Sequence, residues 1–320
     1  MRKTIYCALA ASLAFGMISC QNEEGLTAGA GNVNFRVEMP AGMNTRAYSD
    51  GTSATTLHYY VYDEDGATPA YIGAISNADG VANAFDSDLK ATVSLNLATG
   101  KSYSIVFWAD VPGNSHYTYS TADKTISVSY ANATAQDETR DAFFAYEATF
   151  RVEGPISKTI ELKRPFAQIN VGTTDMAAAK ASGLDIKQTS MTVKGTYSSF
   201  NLSTGAVEGD AADVTFAAAN IPAATDGEFP YKPTVAEGEE APTFTYLAMN
   251  YVLVNEQTTV DVTFSDDNAK TDDLVFAAVP VQRNYRTNIW GALLTDPANF
   301  NVEILPGYNG SYDVEVKEVG

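Results

Sequence analysis

The chain has 320 residues, 45% of them hydrophobic, and a formal net charge of -19 at pH 7. That charge excludes nucleic acid as a partner, since phosphate backbones demand basic patches, and it opposes adsorption to anionic membranes by any route other than a lipid. Length and apolar content suffice for one large or two ordinary domains held together by core burial, and two are expected.

The N-terminal stretch MRKTIYCALAASLAFGMISC opens with Arg2 and Lys3, runs apolar from residue 5 to 18, and ends on small residues before Cys20. The run falls short of the roughly 20 residues a bilayer core requires, so residues 1–19 are expected to form a secretory signal peptide and not a membrane span. Met17, Ile18, Ser19 and Cys20 resemble a bacterial lipobox, in which the peptide is cut before the cysteine and the thiol is acylated. Met17 stands where leucine is usual, and the alternative is a plain signal peptide that happens to contain a cysteine. The second cysteine, Cys7, lies in the discarded segment, so no disulfide is expected.

Strand patterns dominate the remainder. In NVNFRVEM, Val33, Phe35, Val37 and Met39 alternate with Asn34, Arg36 and Glu38, the period-2 signature of a strand with one buried face. MPAGMNTRAYSDG follows, a loop-prone run whose one basic residue is Arg46, before Ala47. An extended backbone with a basic side chain suits a trypsin-type protease; the competing reading is an ordinary surface arginine. Further strands are expected in TLHYYVYD, ATVSLNL, YSIVFWA, KTISVSY and SKTIELK, separated by turn-rich stretches such as LATGKS and DVPGNS. Lys163, Arg164 and Pro165 interrupt the pattern and mark the expected domain boundary. A second group of strand-like runs begins at FAQINVGT and ends at DLVFAAVPVQRNYRTNIWGALL. One short helix is expected over 175–183, with Asp175 near its start and Gly183 to stop it. Residues 221–244 form an acidic, proline-rich loop, long for a compact domain. In the tail, Phe300, Val302 and Ile304 alternate and, beyond Pro306 and Gly307, so do Tyr312, Val314 and Val316. Two successive groups of short strands predict two antiparallel β-sandwich domains.

Signs of catalysis are scarce. His58 and His116 have no cysteine partner and no HExxH spacing, so no metal site or cofactor is expected. TAGAGN precedes a strand and so lacks the helix N-terminus that holds phosphate. The carboxylates of YDEDG, DSD, SDD and TDD lie in loops and read as solvated surface, and DEDG lacks the ligand spacing of a calcium loop. Trp108 and Trp290 sit in strand patterns, where packing competes with a sugar-stacking role. The chain is not expected to be an enzyme.

Four stretches together resemble the fimbrillin-type major and minor pilins of Bacteroidales. They are the lipobox at Cys20, NTRA at Arg46, LKRPFAQINV over 162–171, and VPVQRNYRTNIWGALL over 279–294. GKSYSIVFWAD and RDAFFA add to the match, and together these features span nearly the whole chain. The resemblance implies two transthyretin-like β-sandwich domains in tandem, 47–163 and 164–320, preceded by a propeptide, 20–46, and ending in a donor-strand tail from about 297. It implies export as an outer-membrane lipoprotein and maturation by an Arg-specific protease between Arg46 and Ala47. Removal of the strand carrying Val33, Phe35, Val37 and Met39 would then open a groove for a strand of a neighbouring subunit, and either tail arm has the matching period. The implied partners are other pilin subunits, the protease and a receptor on a host or bacterial surface. A fimbrial tip or anchor subunit, and a monomeric surface glycan-binding lipoprotein, are the alternatives.

Overall fold

The computed structural model describes residues 30–40, 51–72, 83–223, 228–231, 233–267, 272–297 and 300–306. The first half of the chain contributes β1 (Ala30–Glu38), β2 (Thr56–Asp63), β3 (Ala70–Tyr71), β4 (Asn83–Ala84), β5 (Lys90–Ala98), β6 (Ser102–Asp110), β7 (Tyr117–Ser120), β8 (Thr125–Val128), β9 (Phe143–Arg151) and β10 (Ile156–Glu161). The second half contributes β11 (Ala167–Thr173), α1 (Met176–Ala181), β12 (Gln188–Thr196), β13 (Ser199–Asn201), β14 (Val207–Glu208), β15 (Ala212–Asn220), β16 (Thr245–Val252), β17 (Gln257–Asp266), β18 (Leu274–Gln282), β19 (Tyr285–Gly291) and β20 (Phe300–Pro306).

The fold is all-β and built from packed sheets. In the first half, the sheet β10-β1-β5 faces the sheet β3-β2-β6-β9, with β4 added to β2. Phe35, Leu57, Val61, Ile105, Phe107 and Phe143 fill the space between them. In the second half, β16-β11-β19-β20 faces β15-β12-β17-β18 over a core that includes Ile169, Val171, Val193, Phe264 and Ile289. Pairing is antiparallel except between β1 and β10 and between β11 and β19.

A further sheet, β14-β13-β8-β7, takes two strands from each half, with Ser199 to Asn201 paired against Ser127 to Thr125. A third core surrounds it, joining Val106, Trp108 and Phe144 to Phe200, Tyr251 and Leu253. Strands β6, β11 and β16 are therefore covered on both faces. That is why YSIVFWA is a nearly continuous apolar run while β5, solvated on one side, alternates strictly. Trp108 is buried in this third core, where its indole N–H donates to Asp110 at 3.1 Å.

The junction at 163–165 is fixed by charge. Arg164 and Asp141, both fully buried, form a two-pronged ion pair at 2.5 Å per prong, and the guanidinium lies 4.2 Å from the Phe143 ring. The Arg164 backbone N–H donates to Asn284 Oδ1 at 3.0 Å, so this one residue ties the segment before β9 to the turn between β18 and β19. Helix α1 ends at Ala181, and Gly183, two residues on, has a φ of +89° that suits a residue without a Cβ. Asp175 makes no side-chain cap to α1. Its carboxylate instead accepts from the backbone N–H groups of Leu294 and Thr295, at 3.2 and 2.7 Å, which fixes the chain just ahead of β20.

Candidate functional site

Strand β1 is the middle strand of its sheet. It pairs antiparallel with β5 from Ala30–Ala98 to Glu38–Lys90, and parallel with β10 from Val33–Ile156 to Glu38–Glu161. Strands β5 and β10 meet only through it. Val33, Phe35 and Val37 have 0% exposure and Met39 6%, while Asn32 and Arg36 face solvent. Phe35 meets Phe107 and Phe150 edge to face, with ring centroids 5.5 and 5.9 Å apart. On the outer face Ser94 Oγ donates to Asn34 Oδ1 at 2.7 Å, and Arg36 pairs with Glu38 at 2.7 Å. Two backbone bonds close the end of the strand, from Met39 N–H to Leu89 at 3.1 Å and from Leu162 N–H to Glu38 at 2.9 Å.

Without β1 the sheet would lose an apolar row in which each side chain contributes about 1.5–3 kcal/mol of burial, and two strands would be left with unpaired edges. The connection from β1 to β2 runs through residues 41–50, which include Arg46 and Ala47. Arg46 and Ala47 lie outside the described residues, as do Cys20 and the second tail arm with Tyr312, Val314 and Val316.

The first tail arm is β20, the edge strand of the second-half sheet, paired antiparallel with β19 from Gly291–Phe300 to Tyr285–Pro306. Its alternating row turns onto the second-half core. Ile304 is buried, Val302 packs against the second-half core, and the Phe300 ring lies 4.8 Å from that of Phe276.

Glu303, on the opposite face of β20, hydrogen-bonds Tyr231 of the long loop. Burial, with Glu303 adding to it, pushes the Tyr231 phenol up to about 12. Phe229 from the same loop sits where a side chain on Gly172 would lie, since a Cβ there would come within 2.6 Å of its ring. Tyr231, Phe244 and Trp290 make mutual ring contacts with centroids 5.5–6.2 Å apart. Beside them opens a pocket of about 510 Å³, lined by Phe229, Tyr231, Phe244 and Tyr246 together with Glu228 and Thr243. The sequence marks this loop by its length, acidity and prolines, and its aromatics are a further usable signal.

His58 Nε2 lies 3.4 Å from Asp110, and His116 Nε2 lies 3.0 Å from Thr139 Oγ1 and 3.4 Å from Asp137. Burial and then the Arg140 guanidinium lower the His116 pKa, against the pull of Asp137 and Asp110. Among the described residues no cluster of histidine, cysteine, aspartate and glutamate could hold a metal ion.

No curated protein matches the sequence. Among solved structures, the chain is similar to a candidate adhesin from Bacteroides thetaiotaomicron, with a TM-score of 0.50, 12% identity, and coverage of 87% of this chain and 97% of the other. It is also similar to the fimbrial anchor protein Mfa2 from Porphyromonas gingivalis, with a TM-score of 0.44, 10% identity and 85% and 97% coverage. A fimbrial assembly protein from Parabacteroides distasonis matches with a TM-score of 0.42, 15% identity and 87% and 96% coverage. At such identities the first of these shows a shared fold. A family model described as a family of unknown function, DUF6562, matches residues 25–319, nearly the whole sequence, and the chain belongs to that family.

Proposed function

We propose that the chain is a structural subunit of a cell-surface fimbrium that supports adhesion. It is exported as a lipoprotein acylated at Cys20, held at the outer membrane, cut by an Arg-specific protease between Arg46 and Ala47, and polymerised by strand exchange. Residues 20–46 are the propeptide, and 47–163 and 164–320 the two sandwich domains. One observation carries this reading: β1 is the centre of its sheet, yet it leads to β2 through a single connection, 39–55, that contains Arg46. A single cut there turns an integral strand into a separate piece held by backbone pairing and its buried row. Loss of that piece leaves edges and a groove that a strand of matching period fills. The resemblance of the solved structures, which include fimbrial and adhesion proteins, is consistent with this role.

The test is digestion of the recombinant chain, begun after Cys20, with an Arg-specific protease, followed by N-terminal sequencing and unboiled gel electrophoresis. The expected result is one early cut giving an N-terminus at Ala47, followed by heat-labile ladders. A cleanly cut chain that stays monomeric would contradict the stalk role.

The aromatic pocket favours a second reading, a surface glycan-binding subunit at a fimbrial tip or acting alone, because sugar rings stack on faces such as those of Tyr231 and Phe244. Binding on a carbohydrate array that is lost in Tyr231→Ala, without any need for cleavage, would support it.

A further inference from the structure

Gly31 stands on the buried face of β1, two residues before Val33. A Cβ at this position would lie 2.4 Å from Val152 Cγ1. The φ of Gly31 is outside the left-handed region, so the demand is steric. Val152 has little room to withdraw. It is fully buried, its N–H donates to Lys101 at 2.9 Å, and its carbonyl accepts from Gly100 at 2.7 Å. A methyl group on Val is attached one bond from Cβ and cannot swing aside like the end of a long side chain. Any strand that occupies this groove in the register of β1 must therefore carry glycine two residues before its first buried side chain.

The sequence holds one other segment that meets this requirement. Of its 23 glycines, only Gly31 and Gly310 are followed by aliphatic or aromatic residues at the second, fourth and sixth positions. For Gly31 these are Val33, Phe35 and Val37; for Gly310 they are Tyr312, Val314 and Val316. In the first tail arm the residue two before Phe300 is Ala298, whose methyl would meet Val152.

We infer that Val152 is a steric key that selects the second tail arm of a neighbouring copy and fixes its register, with Gly310 replacing Gly31. This rests on the strand-exchange reading. Tyr312 then takes the place of Val33, Val314 that of Phe35 and Val316 that of Val37, which keeps side-chain volume over these three positions, while Glu318 comes to the place of Met39 at the end of the row. Asp313 replaces Asn34 opposite Ser94, and Lys317 replaces Glu38 between Lys90 and Glu161, where a charge of either sign has a partner. Strand β20 stays paired with β19, so donation leaves the described second-half core as it is.

The experiment uses the full chain cut after Arg46 and compares ladder formation by the unsubstituted protein, Gly310→Ala, Val152→Ala and the double variant, each checked for folding by thermal melting. Gly310→Ala is expected to slow or weaken assembly at least about tenfold, the equivalent of about 1.4 kcal/mol. Val152→Ala opens space for the added methyl, so the double variant is expected to regain assembly. Ladders from Gly310→Ala equal to those of the unsubstituted chain, or a double variant no better than Gly310→Ala, would overturn the register while leaving strand exchange intact. Absence of ladders from the unsubstituted chain would remove strand exchange itself.

Discussion

Single side chains set how firmly the first strand and the junction of the two halves are held. Phe35 contacts two aromatic rings in a core with no exposure, so Phe35→Ala in the uncut chain is expected to cost about 3–5 kcal/mol, read from denaturant unfolding. Arg164→Ala would strand the Asp141 carboxylate in a buried site, an expected loss of about 3–5 kcal/mol. Arg164→Lys would recover part of this, because the ammonium keeps the charge but cannot make both prongs. His116 supplies a pH dependence. Its folded pKa lies below the unfolded value, so its neutral form favours the fold. The associated stability is complete above the unfolded pKa, near 6.5, and falls as the pH drops towards the folded pKa. Melting temperatures between pH 7 and pH 5 should therefore fall more steeply for the unsubstituted chain than for His116→Gln.

At the level of elements, the strands with one solvated face were legible because burial writes itself into a period of two. Val33, Phe35, Val37 and Met39 are buried as their alternation demands, and α1 lies within the expected 175–183. Other features left no such mark. Parallel pairing of β1 with β10 joins residues more than a hundred positions apart, and no local pattern encodes which strand becomes a neighbour. The sheet shared by β7, β8, β13 and β14 is short-stranded and crosses the boundary expected from Pro165. Its presence explains the two-sided burial of β6, which the sequence shows as an apolar run without revealing what covers it. Asp175 stands at the start of α1 as expected, and its carboxylate serves the backbone at Leu294 and Thr295, a long-range use that position alone could not disclose. The steric demand at Gly31 was equally hidden, since it depends on Val152.

For the whole molecule, a net charge of -19 opposes association of identical copies, whereas an inserted apolar row favours it. Surface repulsion is screened by salt and burial is not. Assembly of the cut chain should therefore accelerate as sodium chloride rises from about 10 to 500 mM, where the Debye length contracts from about 30 Å to a few ångströms. An unchanged rate would mean that repulsion does not limit encounter. In the proposed assembly the place of β1 is taken by another copy's tail. A disulfide between copies reads that exchange out, and it suits this chain because both natural cysteines, Cys7 and Cys20, precede Arg46. Ser94 touches Asn34 in the uncut chain, so Ser94→Cys combined with Asp313→Cys puts a thiol on the groove and a thiol on the segment meant to fill it. Mild oxidation should give reducible ladders after cleavage at Arg46 and only monomer before it. Ladders that form after cleavage yet carry no disulfide between Cys at 94 and Cys at 313 would show that a different strand, or a different register, joins the copies.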